Sequence, residues 1–175
     1  MAKSSFKQIE KDEKKIILEL QRNARGSIDK IAKRCNFSRQ KVWRIMNKLE
    51  KNQKIWGYTA VTDDEKTGVK RYFVLIKRTT TPLTKDLAEK IIKREVEKPA
   101  EAEGITIESS FFVHGNYDWI ICFTAENIKY AKKFCDIIQN AYYGYIADLS
   151  LLENLFSIRN NNLLNPNKEG LKDFL

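Results

Sequence analysis

The chain has 175 residues, of which 42% are hydrophobic and 11% aromatic, and its formal net charge at pH 7 is +9. This length and composition suffice for one domain or two small ones with packed cores, and they exclude a disordered chain. No apolar stretch reaches the roughly 20 residues that span a bilayer, and the first residues lack the apolar core of a signal peptide, so we expect a cytoplasmic protein.

The positive charge is concentrated in the first third of the chain. Residues 1–61 hold 16 Lys and Arg against 6 Asp and Glu, whereas the remaining 114 residues hold 16 against 17. A domain with this imbalance attracts polyanions, most often nucleic acid and next an anionic membrane surface. Charge that served only solubility would not be expected to separate by domain.

The first 52 residues predict three helices. An amphipathic helix ends near Asn23, and Ser27 caps a short second helix. Asn36 tolerates the left-handed backbone of a sharp turn, after which Ser38 caps a third helix that runs to about Asn52. The apolar residues at helical spacing that define the first two helices are Ile9, Ile16, Ile17, Leu20, Ile28, Ile31, Ala32 and Cys35.

The third helix has two different faces. At about 100° per residue, its apolar stripe consists of Val42, Ile45, Met46 and Leu49. The opposite face consists of Gln40, Arg44, Asn47 and Lys51, flanked by Trp43 and Lys48. A charged face is most often only solvated. However, a short helix, a tight turn and a capped basic helix form the motif that places a helix in the DNA major groove, where Arg and Gln pair bidentately with guanine and adenine.

A strand or wing is predicted over 55–61, where aromatic and β-branched residues alternate. The polar stretch that follows contains Gly68 and is typical of a domain boundary. We therefore predict a helix-turn-helix DNA-binding domain over 1–61, a linker over 62–69, a second domain over 70–158 and a tail over 159–175.

The second domain predicts the order strand, helix, strand, strand, helix, strand. The strands are expected at 71–79, 105–113, 117–124 and 145–158, with a loop at 98–104. The first helix, capped by Thr84, carries Leu87, Ala88, Ile91, Ile92 and Val96 on one face, and the second carries Ile128, Ala131, Phe134, Cys135 and Ile138. This order is the split βαβ arrangement of ferredoxin-like domains, so the fold class is α+β.

The strand segments FVLI and WIICF are unbroken apolar runs, which indicate burial on both faces. Right-handed crossovers place both helices on one side of such a sheet and leave the other side bare. We predict that a second copy of the chain covers this bare side.

No catalytic or metal site is indicated, and no cofactor is expected. The three cysteines lie inside apolar patterns without CxxC spacing, which favours buried thiols. His114 is the only histidine and has no partner constellation, so a structural or solvated role is favoured over a catalytic one. For Trp43 and Trp56, packing is the commoner fate, although both residue positions are compatible with DNA contact.

The stretch DEKKIILELQRNARGSIDKIAKRCNFSRQKVWRIMNKLEKNQKIWGYTAV, together with VHGNYDWIICF, resembles the Lrp/AsnC family of feast/famine regulators of bacteria and archaea. The resemblance covers residues from about 10 to 158. It implies a winged helix-turn-helix reader joined to a ferredoxin-like βαββαβ effector and oligomerisation domain. It also implies homodimers through the sheet, often assembled into octamers, and binding of double-stranded DNA near promoters.

The resemblance also assigns candidate site residues. Those that it places at the DNA are Ser38, Arg39, Gln40, Arg44 and Lys48, and we add Lys41 and Trp43 of the same helix as DNA-binding candidates. Those expected near an amino-acid effector are Gly115, Asn116, Tyr117 and Asp118. Each effector candidate has a structural alternative, since Gly115 suits a hairpin turn and Asp118 can fix that turn through backbone hydrogen bonds.

The sequence departs from the family pattern at several points. Asn36 stands where the family has Gly in the turn, a role that Asn can serve. Gln53 stands where Gly commonly ends the third helix, so that helix is free to run on or to end differently. The tail from Arg159 has no counterpart that we can place. It either caps a neighbouring subunit, using Leu163, Leu164, Leu171 and Phe174, or is loose.

Three other functions fit the sequence. A low-specificity architectural DNA-binding protein would use the same fold and charge. A siroheme-decarboxylase-like enzyme shares the two-part layout, but its chemistry would be expected to need more than one histidine. A ligand-sensing or scaffold module would bind a metabolite or a protein and leave DNA unbound.

Overall fold

Within residues 6–175, which the computed structural model describes, the chain begins with α1 (Phe6–Arg22), α2 (Ile28–Cys35) and α3 (Arg39–Lys51). Its contacts define two units. One holds the described residues up to Val61 with Ser157–Asp173 and Leu175, and the other holds Thr62–Phe156 with Phe174. The boundaries predicted for the linker and the tail stay predictions.

Serine side chains begin α2 and α3, as predicted. Ser27 Oγ accepts a hydrogen bond from the backbone N–H of Lys30 at 3.3 Å, and Ser38 Oγ accepts one from that of Lys41 at 3.2 Å. Each cap satisfies an N–H group that the first turn of a helix leaves without a partner. Asn36 has a φ of 58°, so the predicted left-handed turn is confirmed.

The three helices enclose one apolar core. Its buried members are Ile16, Leu20, Ile31, Ala32, Cys35, Val42, Ile45 and Leu49. Met46 packs against them and is partly buried. The apolar stripes predicted for these helices are therefore confirmed, except that Ile9 is exposed and lies outside this core.

Gln53 ends α3 in a conformation that favours glycine. Its φ is 54°, its N–H donates to the carbonyl of Glu50 at 2.9 Å, and the N–H of Lys54 donates to that of Leu49 at 2.9 Å. These two bonds form a Schellman motif. The helix thus ends as a glycine-capped helix would, with glutamine in the strained position.

Replacing Gln53 with Gly is expected to raise the free energy of unfolding by about 1 kcal/mol, because glycine adopts positive φ without a Cβ clash. Urea unfolding of the wild type and the variant measures this. The control is Asn52→Gly, at a φ of −87°, which is expected to destabilise because glycine there adds only conformational freedom to the unfolded chain. A gain for Asn52→Gly equal to that for Gln53→Gly would contradict the account.

Residues 55–61 form no strand, so that prediction is wrong. The sheets found among the described residues leave this segment unpaired, and alternation alone supplies no hydrogen-bonding neighbour. Ile55 packs on the helical core, Trp56 is 96% exposed, and Tyr58 donates a hydrogen bond to Glu50 at 2.8 Å. Burial and this bond raise the pKa of Tyr58 to about 12. The segment is therefore an extended arm held against α3.

The second unit contains one four-stranded antiparallel sheet. Its elements are β1 (Lys70–Arg78), α4 (Lys85–Ile92), α5 (Glu97–Ala102), β2 (Thr106–Phe112), β3 (Trp119–Ala125), α6 (Ile128–Ala141) and β4 (Ile146–Glu153). The strand order is β2-β3-β1-β4. Leu75 on β1 pairs with Ile120 on β3 and with Ser150 on β4. The predicted α+β, ferredoxin-like βαββαβ fold is confirmed.

Three predicted features of this unit are wrong. The first helix ends at Ile92 because Arg94 takes a φ of 58°. Val96 lies beyond this break and is buried, whereas Ala88 and Ile92 are exposed. The predicted loop over 98–104 is largely α5, where Pro99 lies in the first turn and costs no hydrogen bond. The last strand ends at Glu153, short of the predicted residue 158.

The polar segment 62–69 is anchored to the sheet. Arg71 is buried, and its Nε and Nη2 each lie 2.9 Å from a carboxylate oxygen of Asp64. Arg71 also contacts Glu108 and, at 3.6 Å, the sulfur of Cys122. A buried guanidinium with these partners fixes the turn that precedes β1.

The two faces of the sheet differ. Tyr72, Val74 and Ile76 of β1 are fully buried in the core that the helices cover. Phe73 and Leu75 alternate with them and so lie on the opposite face, where they are partly exposed. On this face Phe73 pairs with Leu152 of β4 and Leu75 pairs with Ile120 of β3. Ile120 pairs in turn with Phe111 of β2. We call these five residues the open sheet face.

The tail contains local structure that the sequence did not reveal. β5 (Arg159–Asn160) and β6 (Leu163–Leu164) form a hairpin whose loop residues, Asn161 and Asn162, have φ values of 41° and 66°. Two successive positive φ angles match a type I′ turn, which asparagine tolerates. A 3₁₀ helix, Lys168–Phe174, follows, and the rings of Phe156 and Phe174 lie 5.8 Å apart.

Candidate nucleic-acid interface

Six of the seven sequence-predicted DNA residues lie together at the N-terminal half of α3. Ser38, Arg39, Gln40, Lys41, Trp43 and Arg44 line one open depression with Ile28 of α2. Trp43 is 58% exposed, so it projects from the helix surface and does not fill the core. Lys48 lies one turn beyond Arg44 and is also exposed.

Asp12 of α1 fixes the start of α3. Asp12 is only 4% exposed. Its carboxylate lies 2.6 Å from Nζ of Lys41 and accepts a 2.9 Å hydrogen bond from the side-chain amide of Gln8. Burial raises the pKa of Asp12, but the bonds from Lys41 and Gln8 outweigh it, so the pKa lies below its ordinary value. Asp12 therefore stays ionised at neutral pH and holds the Lys41 ammonium.

Glu13 holds two further lysines. One of its oxygens lies 2.9 Å from Nζ of Lys48, the other lies 2.7 Å from Nζ of Lys54, and the residue is 4% exposed. The bonds from Lys54 and Lys48 hold the pKa of Glu13 below its ordinary value despite burial. Both ends of α3 are thus tied to the first helix by buried carboxylates.

These two low pKa values predict an acid-dependent loss of stability. Groups whose pKa is lowered by folding stabilise the fold above their unfolded-state values, 3.8 and 4.5, and lose that contribution as the pH falls through the folded values. Glu13→Gln is expected to lower the free energy of unfolding by about 1–3 kcal/mol at pH 7 and by less at a pH well below 4.5. Urea unfolding at both pH values measures this.

The control for Glu13→Gln is Glu10→Gln, which changes the same charge on the same helix. Glu10 is exposed and takes part in no ion pair among the described residues. Its substitution is expected to leave the free energy of unfolding nearly unchanged at both pH values. A pH-independent effect of Glu13→Gln would contradict the assigned role.

The remaining polar side chains of α3 differ in their partners. Arg39 forms an ion pair with Asp29 of α2 at 2.9 Å, and both side chains are exposed. In the part of the chain that the structure describes, no hydrogen bond or ion pair ties down Arg44 or Lys51, and both are exposed. Gln40 and Asn47 are likewise exposed on this face. Apart from Arg39, these side chains are available to a ligand without breaking a contact made within the described residues.

Sequence reasoning missed Asp12, Glu13 and Lys54 as organisers of this surface. The signal was present, because Asp12 and Glu13 stand four and three residues before Ile16 and so lie on the buried side of α1. A carboxylate at such a position is rarely buried without a cationic partner. The partners lie on another element, and the pattern of α1 alone does not identify them.

The predicted effector residues lie at the β2–β3 turn. Gly115 and Asn116 are exposed, while Tyr117 and Asp118 are partly buried. Asp118 Oδ2 accepts a 2.9 Å hydrogen bond from the backbone N–H of Arg78, and its Oδ1 lies 3.3 Å from Nε of Arg78. The hydrogen bond from the Arg78 backbone leads the interactions that lower the pKa of Asp118. The carboxylate thus already joins the turn to the end of β1.

Over residues 6–175, no three His, Cys, Asp or Glu side chains cluster as metal ligands would. Cys35, Cys122 and Cys135 are free, buried thiols. None of the described helices combines the length and apolarity needed to cross a bilayer.

Residues 13–55 match a family model described as winged helix-turn-helix DNA-binding. This match begins within α1, ends four residues after α3, and includes Glu13, Ser38, Arg44 and Lys54. No curated protein matches the chain by sequence.

Solved structures match nearly the whole chain. An AsnC family transcriptional regulator from Agrobacterium tumefaciens has 20% identity and a TM-score of 0.65, covering 89% of this chain and 96% of its own. A feast or famine regulatory protein from M. tuberculosis, complexed with L-methionine, has 16% identity and a TM-score of 0.68. That match covers 90% of this chain and 99% of the other. A Neisseria meningitidis transcriptional regulator, in an L-Met complex, has 18% identity and a TM-score of 0.64, and its match covers 86% of this chain and 92% of the other. The resemblance inferred from sequence is confirmed, and the shared property is the fold.

Proposed function

We propose that this protein is a sequence-specific, DNA-binding transcription regulator of the Lrp/AsnC type that works in the prokaryotic cytoplasm. The observation that carries the proposal is the exposed N-terminal half of α3, where Gln40, Trp43 and Arg44 project beside the Ser38 cap. It belongs to the part of the chain that holds the excess positive charge. Fold and charge therefore support the same ligand, double-stranded DNA.

Each part of this surface has a distinct proposed role. The first N–H groups of α3, beyond the one that Ser38 caps, are free to bind a DNA phosphate. Arg44 and Gln40 suit bidentate hydrogen bonds to guanine and adenine edges in the major groove. Arg39 and Trp43 flank them and are proposed to contact the backbone and the groove wall.

We propose that the active form is a homodimer in which two open sheet faces pack together, with larger assemblies such as octamers built from it. An exposed apolar surface of this kind is an association surface, and identical copies most often associate about a two-fold axis. Two α3 helices related by such an axis would read half-sites one or more helical turns apart, in a near-palindromic operator.

The turn of Gly115, Asn116, Tyr117 and Asp118 is proposed as part of an amino-acid effector site. Two of the matching structures are complexes with L-methionine. Because Arg78 already occupies the Asp118 carboxylate, a ligand amino group would have to share it. The alternative, in which Asp118 only fixes the turn, therefore gains support from the geometry.

Thermal unfolding with each of the 20 amino acids at millimolar concentration tests the effector site. A ligand at 100 times its Kd adds about 2.7 kcal/mol to the free energy of unfolding and raises Tm. We expect one or a few amino acids to do so, and Asn116→Ala to weaken the shift. No shift for any amino acid would contradict the effector proposal and leave the DNA proposal standing.

The proposed function is not enzymatic, and the matching structures described above are those of transcriptional regulators. Fluorescence anisotropy with a labelled random-sequence duplex at 0.05 M and 0.2 M salt tests DNA binding itself. We expect binding whose affinity falls steeply with salt, as counterion release requires. Absence of binding at the lower salt would contradict the proposal and favour the enzyme or ligand-module alternatives.

A further inference from the structure

We infer that the basic side chains around α3 form two groups with different work. Lys41, Lys48 and Lys54 are positioning residues that hold α3 on α1 and make no phosphate contact, whereas Arg44 and Lys51 are cations of this helix that no described carboxylate holds and that meet DNA. Asp12 and Glu13 thereby limit the affinity of the domain for DNA of any sequence. The inference rests on the proposed function and revises which residues carry it.

Each of the three lysines lies at a buried carboxylate of α1. Lys41 lies 2.6 Å from Asp12, and Lys48 and Lys54 lie 2.9 Å and 2.7 Å from separate oxygens of Glu13. The Glu13 side chain is 5% exposed and that of Asp12 is 6% exposed. Because water hardly reaches these oxygens, the lysines are their main hydrogen-bond donors.

The ammonium group of each of these lysines has two competing partners, its carboxylate and a DNA phosphate. A lysine that left Glu13 for a phosphate would leave a buried carboxylate oxygen without its donor, which costs the desolvation of that oxygen. The phosphate contact returns less, because it is made in high dielectric and screened by salt. The bound state therefore keeps Lys41, Lys48 and Lys54 on their carboxylates.

Arg44 and Lys51 are not held by a buried carboxylate of the described chain. They are exposed, and within residues 6–175 neither takes part in an ion pair or hydrogen bond. Each contact between such a cation and a phosphate releases counterions and adds about 0.9 to the slope of log affinity against log salt. The salt slope consequently separates the two groups of residues.

The test measures anisotropy of a labelled random-sequence duplex between 0.05 M and 0.2 M salt for matched variants. Lys51→Met is expected to make the slope shallower by about 0.9, and Lys48→Met to leave it unchanged while lowering Tm. Both changes remove one lysine from α3 and keep a long apolar side chain.

Removing the carboxylate instead of a lysine is expected to strengthen DNA binding, which loss of structure would not do. Glu13→Gln frees Lys48 and Lys54, so the slope is expected to steepen by about 0.9 to 1.8 and the affinity for random DNA at low salt to rise. Glu10→Gln, which frees no lysine, is the control and is expected to change the slope much less. Circular dichroism at the binding temperature checks that each variant is folded.

A Lys48→Met slope as shallow as that of Lys51→Met would overturn the inference, as would an unchanged slope for Glu13→Gln. Should Glu13→Gln fail to fold, the Lys48 and Lys51 pair still decides. Failure of the wild type to bind DNA at 0.05 M salt would instead overturn the proposed function itself, and this inference with it.

Discussion

Replacing Leu75 with Asp is expected to convert the protein from a dimer into a monomer and to weaken operator binding by 10²–10⁴-fold. Leu75 lies at the centre of the open sheet face, between Ile120 and Ser150 on the neighbouring strands. A carboxylate there would be buried without a partner on association. Once the dimer is lost, the second helix-turn-helix domain is no longer tethered near the second half-site. It therefore loses the high effective concentration that tethering gives.

Sedimentation velocity at micromolar concentration and anisotropy with a two-half-site duplex measure the two effects. Leu152→Asp, on the same face but 48% exposed, is a second variant that spares the fold of the monomer. Tyr143→Asp is the control, because Tyr143 is 88% exposed in the turn after α6 and lies outside the open sheet face. A wild type that sediments as a monomer, or a Leu75→Asp variant that remains dimeric, would contradict the account.

Replacing Arg44 with Ala is expected to reduce operator affinity by about 1–3 kcal/mol and to relax base preference at one position of each half-site. The physical reason is that Arg44 is exposed and unrestrained at the centre of the candidate interface, with the fork geometry that suits a guanine edge. Binding to a set of operators with single-base substitutions measures the preference.

Two further variants separate base reading from charge. Arg44→Lys keeps the charge but not the bidentate fork, so it is expected to lose base preference while retaining most of the salt slope. Arg25→Ala removes an exposed arginine from the turn between α1 and α2 and is expected to weaken all sequences equally. Unchanged affinity and preference in Arg44→Ala would show that this side chain is only solvated surface.

Much of this fold was predictable because its determinants are local. Ser27, Ser38 and Thr84 cap the helices that their positions predicted, since a cap depends on a residue and the three that follow it. The buried stripe of α3 followed from helical spacing alone. Of the family departures, Asn36 and Gln53 adopt the left-handed conformation that glycine would have taken.

The errors arose where residue spacing within a segment does not determine the outcome. Alternation over 55–61 predicted a strand, but a strand also requires a partner, and the described chain offers none there. The residues near Arg94 form two helices because of one left-handed residue that helical spacing does not reveal. For the candidate interface, sequence placed Lys41 and Lys48 with the reading residues, while Asp12 and Glu13 hold them from another helix.

The measurement that tests the central proposal most directly is selection from genomic DNA. The purified protein is mixed with sheared DNA from its own organism at about 0.15 M salt, where non-specific affinity is weak, and the retained DNA is sequenced. The account predicts enrichment of a short near-palindrome whose half-sites are one or more helical turns apart. Uniform retention of all sequences would contradict it and identify an architectural DNA-binding protein instead.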